Sequence, residues 1–429
     1  MAPILFTLFF ATLVVGFPVA FTMGLSGAVA ILMGGEFPSI VIVQQMFKGI
    51  NSFPLMAVPF FILAAEVMTV SGMTERLLRF ANDLVGHIRG GLGHVNVMVS
   101  MLFAGISGSA LADAAGPSAI VMRMMRKGGY DANYAGALSA ATATIGPIIP
   151  PSILMVIYAI SDSRVTVAGL FLAGVVPGIL LGLTLAASNH IISVKRGYQF
   201  HSERPKLGQL GKSFWEALPA IVMPLLIIGG ILGGVFTPTE ASAAAVGYAI
   251  LVSTLLTRSL SMAALGKAFI TAGVITGSVL LIVSLASIFA WLLTILQIPQ
   301  ELASAIASLT EDKLTVMFLL AAFALACGLV IDTLPALIIL VPVLGPVAAQ
   351  FGIDPLQFAM MLVLNLTIGM VTPPVGPVLF VISTVGRLKL EAVSKAIIPL
   401  LLAELMVLAL VILFPDLSTA LPIALGFDH

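Results

Sequence analysis

The chain has 429 residues, 60% of them hydrophobic and 9% charged, with a mean hydropathy of +1.17. Soluble domains carry about 25% charged residues, so this composition excludes a water-soluble globule. Nineteen basic residues balance nineteen acidic ones, which gives no electrostatic argument for nucleic acid. The single Cys327 excludes an internal disulfide, and His87, His94, His190, His201 and His429 show no metal-ligand spacing. No Walker A sequence GxxxxGKS/T is present, so any work the chain does draws on an ion gradient or on an outside source.

Apolar runs long enough to cross a bilayer recur throughout, which makes this a polytopic integral membrane protein. In chain order, a first unit over 1–195 holds spans at 2–15, 18–34 and 53–72. These are followed by an amphipathic arm at 73–90, a hairpin at 92–127, a proline-interrupted helix at 131–160 and a span at 164–194. A cytoplasmic linker at 196–214 leads to a second unit over 215–414. Its spans at 215–235, 238–257 and 268–296 precede an arm at 297–312, a hairpin at 313–350, a broken helix at 354–385 and a span at 391–414. Residues 415–429 are read as a periplasmic tail. The start Met1-Ala2-Pro3-Ile4 lacks a basic region and is not read as a signal peptide.

Each unit has five spans and one hairpin that enters and leaves on one side, so the second must be inverted relative to the first. Charge supports this. With the N-terminus periplasmic, the basic residues of 76–127, 195–267 and 387–395, including Arg204, all fall inside, and only Lys48, Arg164 and Lys313 fall outside. Both termini are then periplasmic. An internal repeat points the same way: Thr144-Ile145-Gly146-Pro147 with Pro150-Pro151 returns as Thr367-Ile368-Gly369-Met370 with Pro373-Pro374. Upstream, Asp113 and Pro117 are matched by Asp332 and Pro335. Paired Gly/Pro-interrupted segments of this kind mark a transporter binding site.

Two prolines in a row break a helix and free the carbonyls of the turn before them. Inside lipid such carbonyls are tolerated only where protein buries them or where they line a cavity. A desolvated sodium ion wants several neutral oxygens, and freed carbonyls and hydroxyls supply them. The hairpin centres, Gly105 to Ala110 and Gly328 to Thr333, are small and hydroxyl-bearing, as a close-packed tip requires. Asp113, Asp332 and Glu66 are acids in apolar segments without a basic partner, which makes them functional candidates. For the two aspartates, hairpin-holding hydrogen bonds and site tuning are favoured over direct ligation. Thr237 or Thr239 is expected to cap a helix with Glu240 in its first turn.

Over nearly its whole length the chain resembles the DctM-like large membrane subunit of tripartite ATP-independent periplasmic (TRAP) transporters. The motifs that carry the resemblance are Gly234-Val235-Phe236-Thr237-Pro238-Thr239-Glu240-Ala241, Ser107-Gly108-Ser109-Ala110 with Asp113, Pro147-Ile148-Ile149-Pro150-Pro151-Ser152, and Ile368-Gly369 with Thr372-Pro373-Pro374. The resemblance implies an all-α, inverted-repeat, elevator-type transporter with two re-entrant helical hairpins and two broken helices, in the bacterial inner membrane. It implies no enzyme and no cofactor, with Na+ as coupling ion. The implied partners are a small four-helix membrane subunit on a separate chain and a periplasmic substrate-binding protein that delivers a carboxylate-bearing solute.

Carried onto this chain, one sodium site uses Ser107 with carbonyls around Gly146 and Ile149. A second uses Gly328, Gly369 and Thr372. The substrate sits near Ser109, Pro150, Thr333 and Pro373. The halves differ where Ile149 stands in place of Thr372, so the first site must use a carbonyl there. The alternative reading is a stand-alone sodium/dicarboxylate symporter of related architecture. An intramembrane aspartyl protease built on Asp113 and Asp332 is disfavoured, because Leu329-Val330-Ile331 precedes Asp332 where such enzymes carry GxGD. A channel is disfavoured by the absence of a repeated filter sequence.

Overall fold

A computed structural model describes residues 1–198, 205–374 and 376–427. Arg204, His201 and His429 lie outside the described residues. The first half runs α1 (Ala2–Val15), α2 (Val19–Gly34), α3 (Ile40–Ile50), a single 3-10 turn Phe53–Met56, α4 (Ala57–Val70) and α5 (Met73–Val85). It continues with α6 (Gly91–Ser107), α7 (Ala110–Ala115), α8 (Pro117–Lys127), α9 (Ala132–Ala143), α10 (Ile153–Ser161) and α11 (Val167–Arg196). The second half has α12 (Leu207–Leu232), α13 (Pro238–Leu251) running into a π turn, α14 (Met262–Ile295) and α15 (Ile298–Ala307). Then come α16 (Lys313–Gly328), α17 (Thr333–Gln350), α18 (Pro355–Gly369), α19 (Pro377–Gly386), α20 (Leu390–Leu413) and α21 (Asp416–Ala424).

Among the described residues, seven helices are long and apolar enough to cross a membrane. The hairpin arm α6 and the halves of the two broken helices are shorter. Other helices surround them, with α8, α9 and α11 on α6, and α16 and α17 on α18, which is the condition under which interrupted backbone survives at hydrocarbon depth. The fold is all-α, with two re-entrant hairpins (α6–α8 and α16–α17) and two broken helices (α9–α10 and α18–α19).

Polar caps set where the helices begin. Asp131 accepts from Tyr134 N at 2.8 Å, Thr166 from Gly169 N at 3.0 Å, and Asp354 from Leu356 N and Gln357 N. At α13 the cap is Thr237, whose backbone N–H donates back to Glu240 Oε2 at 2.8 Å in a capping box. Thr239 instead donates to Phe53 O at 3.2 Å. Two elements escaped the hydrophobic pattern. Helix α3, with no buried residue, lies along α14. Helix α21, inside the segment read as a tail, packs on α11 and α18 with Ser418, Thr419 and Pro422 buried.

The helices form two packed groups. In one, α14 packs against α2, α3 and α4, and α13 packs against α4 and α12. In the other, each broken helix is shared between halves. α9 packs on α6 and α8, while its continuation α10 packs on α17. Conversely, α18 packs on α16 and α17, while α19 packs on α7, α8 and α9. The final spans cross over as well: α20 lies on α9, and α11 on α18.

Buried amides fasten each hairpin to its broken helix. Asn96 Nδ2 donates to Ser139 Oγ at 2.7 Å, and Thr142 Oγ1 donates to Asn96 Oδ1 at 3.3 Å. In the second half, Asn365 Nδ2 donates to Ala321 O at 2.7 Å. Two arginines then tie the halves together at opposite ends. Arg126 on α8 donates to Gly386 O at 2.7 Å, and Arg164 after α10 donates to Gly345 O at 3.0 Å. Arg164 is held in a two-point pair with Asp162, at 2.8 and 2.7 Å, and Asp162 is buried.

Replacing one partner of such a pair strands the other charge. Because Arg164 is partly exposed, Arg164→Met is expected to lower the thermal stability of the purified protein by about 1–3 kcal/mol, less than for a fully buried pair. The double variant Arg164→Met/Asp162→Asn should recover part of that loss. Melting curves of the two variants check this, and equal melting temperatures for the single variant and wild type would sink it.

Candidate functional site

The first tip is built by Ser107, Gly108 and Ser109. Gly108 ends α6 in the left-handed region at φ 56°, which lets the chain turn back without steric cost. Ser109 is extended and caps α7, its Oγ accepting from Ala112 N at 3.4 Å. This tip lies against the first helix break: a Cβ on Gly108 would stand 2.6 Å from Pro151 O. The Pro150 carbonyl faces Gly105, and the Ser109 carbonyl faces Gly146. Ser152 closes the break by donating to Pro147 O at 2.5 Å while capping α10. Ser107, Gly146 and Pro150 are thus brought to one place. The Ile149 side chain instead turns to Gly178 of α11, so only its backbone is available to the tip.

The second tip lies against the second break. Gly328 ends α16 against Gly369, where a Cβ would stand 3.0 Å from Gly328 O. Asp332 caps α17 by accepting from Thr333 N at 2.9 Å, and Thr333 Oγ1 donates to Leu366 O at 3.4 Å. Thr372 Oγ1 donates its proton to Ile368 O at 2.7 Å. Its lone pairs stay free, which suits a hydroxyl that would face a cation.

A cavity of about 160 Å³ joins the tips. Ser109 and Ala110 line one side, Asp332 and Thr333 the other, with Pro147 and Met370 from the breaks and Ile275 and Val279 from α14. Helices α7 and α17 both begin on its wall, where Ser109 Oγ takes the Ala112 N–H and the Asp332 carboxyl takes the Thr333 N–H. Among the described residues no lysine or arginine lines it. Of the four residues expected near a substrate, Ser109 and Thr333 reach this lining; Pro150 and Pro373 do not.

The aspartates have different surroundings. Asp113 is fully buried inside the first hairpin and accepts from Ser118 Oγ at 3.3 Å, and Ser118 Oγ lies 3.3 Å from Ser100 Oγ. That chain links α6, α7 and α8. Asp332 opens on the cavity. Only one of the two acids therefore reaches the cavity, which leaves no shared catalytic dyad. Sequence reasoning missed Glu404, which is fully buried on α20 and bonded to Thr144 at 2.9 Å. Its signal was present: an acid inside the span 391–414. The α14 contribution had no signal, because Ile275 and Val279 look like any lipid-facing residues.

Two re-entrant tips meeting two broken helices around one cavity define a polytopic membrane permease of the inverted-repeat type. The chain belongs to the family described as "Tripartite ATP-independent periplasmic transporter, DctM component", whose model matches residues 6–417. It is 39% identical over 415 residues to the sialic acid TRAP transporter large permease protein SiaM of Vibrio cholerae, covering 96% of this chain and 97% of that one. It is 36% identical over 403 residues to the 2,3-diketo-L-gulonate TRAP transporter large permease protein YiaN of Escherichia coli, covering 94% of each. These relatives are permeases, not enzymes. The crystal structure of the Alcanivorax borkumensis YdaH transporter has the same fold, with a TM-score of 0.65 at 16% identity over 90% of this chain and 89% of that one.

A methyl group at Gly369 would meet the Gly328 backbone, which cannot yield as a flexible side chain does. Gly369→Ala is expected to cut uptake at least about tenfold, equivalent to about 1.4 kcal/mol or more in the barrier to transport. Gly247→Ala, which meets only open space, should transport like wild type. Uptake assays on both, at matched protein levels, check this.

Proposed function

We propose that this chain is the large permease subunit of a sodium-gradient-driven secondary transporter that imports a carboxylate-bearing solute. A periplasmic binding protein delivers the solute, and a small four-helix membrane subunit on a separate chain completes the complex. The complex sits in the bacterial inner membrane with both termini of this chain periplasmic. The observation that carries the reading is the shared cavity, with Ser109 and Thr333 on facing tips and helix N-termini on its wall. The Ser109 hydroxyl and the first amides of α7 can meet a carboxylate, while the Asp332 carboxyl on the facing wall opposes one. Without a basic side chain in the lining, an anion needs cations bound nearby, and the two tips offer them sites.

The first sodium site is proposed at Ser107 with the backbone at Gly146 and Ile149, and the second at Gly328, Gly369 and Thr372. Pro150 and Pro373 act behind the substrate by breaking the helices rather than by touching it. Both hairpins and both broken helices interlock across the halves, which favours their moving as one body past a scaffold of α1–α4 and α12–α14, an elevator motion. The carboxylate class follows from the family and from the solutes in the names of SiaM and YiaN.

The test is uptake into proteoliposomes holding this chain and its small partner, with the cognate binding protein outside. Uptake should require both an inward sodium gradient and the binding protein. Sodium-driven uptake without the binding protein would establish the stand-alone symporter instead, and sodium-independent uptake would remove the cation sites. Thr372→Ala is expected to raise the sodium concentration for half-maximal uptake about tenfold, as loss of one oxygen ligand costs about 1–2 kcal/mol. An unchanged sodium activation curve would rule out the second site.

A further inference from the structure

Glu404 takes no part in the cavity, yet it is fully buried near the middle of the 24-residue α20. It faces Thr144, the residue that ends α9 two positions before Gly146. Thr144 Oγ1 lies 2.6 Å from Ala141 O and 2.9 Å from Glu404 Oε1. A threonine hydroxyl has one proton and a backbone carbonyl has none, so the shorter contact takes the threonine proton. The contact to Glu404 then needs a second proton, and only the carboxyl can bring it. Among the described residues the other oxygen, Oε2, has no hydrogen-bond partner. That is tolerable for the carbonyl of a neutral acid and far more costly for half of a buried carboxylate.

Among the described residues no charged side chain pairs with Glu404. Of the elements packed on α20, α9 carries Tyr134, which donates to Asn189, and α16 carries Cys327 and begins at Lys313. His190, Lys195 and Arg196 lie toward the end of α11, Arg387 follows α19, and Asp354 and Asp416 stand at the starts of α18 and α21. Among the described residues none of these forms an ion pair or hydrogen bond with Glu404.

We propose that Glu404 is a proton-binding site at mid-membrane, occupied at neutral pH, whose neutral acid fastens α20 to the turn that presents Gly146. Glu404 is a positioning residue: its O–H donates to Thr144 Oγ1, which donates to Ala141 O. Its effect on transport rests on the reading of Gly146 as part of a sodium site, whereas the bound proton does not.

Infrared spectra of the purified full chain in lipid, with and without sodium chloride, test the proton directly. Wild type minus Glu404→Gln should show a protonated-carboxyl C=O band at pH 7 that sodium leaves unchanged. A carboxylate band in its place, or a protonated band that sodium abolishes, would overturn the proposal, the second outcome assigning Oε2 to a cation. In uptake, Glu404→Ala should raise the sodium concentration for half-maximal rate about tenfold. Glu404→Gln should stay within about threefold, because an amide also donates to Thr144, and its uptake between pH 6 and 8 should parallel wild type. Equal impairment of both variants in folded protein would overturn the donor role, and if Glu404→Ala does not fold, Thr144→Val replaces it. If wild type shows no sodium dependence, the sodium reading fails while the infrared result still decides the proton.

Discussion

Broken backbone inside a membrane has to find partners in the protein, and this requirement organises the rest of the molecule. The proline pairs at 150–151 and 373–374 interrupt two helices at a depth where water cannot satisfy them. Each break is met by a hairpin tip made of the smallest residues available. Gly108 lies against Pro151 O, Gly146 against Ser109 O, and Gly369 against Gly328 O. These contacts bring carbonyl oxygens and hydroxyls together, with Asp332 as the acid beside them and no lysine or arginine among the described lining residues. An assembly rich in neutral oxygens suits a desolvated monovalent cation, and the chemistry proposed for the site grows out of the solution to a folding problem.

Interlocking follows from the same breaks. A helix that stops halfway leaves its second half free to belong elsewhere, and both second halves join the other repeat. The arginine ties reinforce the exchange, but from opposite partners. Arg126 reaches from a hairpin to a broken helix, whereas Arg164 reaches from the end of a broken helix to a hairpin. The two halves therefore keep the same geometry with different residues. The same divergence separates Ile149 from Thr372, and Asp113 within its hairpin from Asp332 on the cavity wall.

Much of the architecture was legible because its signals are local. Proline pairs, glycine-serine tips and acid-plus-proline patterns name their own backbone consequences, and they located both breaks and both tips. Helix α3 was not legible, since it buries no residue and its pattern is apolar without being long enough to span. Helix α21 was hidden in a short segment whose burial depends on α11. The pairing of Glu404 with Thr144 joins positions 260 residues apart, and only the way the inverted halves cross over puts them together. The cavity wall from α14 was equally silent, because Ile275 and Val279 carry no polar signature. Pro150 and Pro373 were readable as helix breakers, but their place outside the cavity lining depends on how the tips pack over the breaks.

That silent wall has a mechanical meaning. Where the two tips face α14, the surface consists of branched aliphatic side chains, which attract a neighbour without fixing its direction or depth. Shifting the tips along such a wall exchanges one set of dispersion contacts for a similar set and ruptures no hydrogen bond there. In the proposed elevator motion such a wall acts like a greased bearing beside a rigid latch. Directional hydrogen-bonding groups are concentrated on the side of the tips, and the α14 side supplies apolar contact.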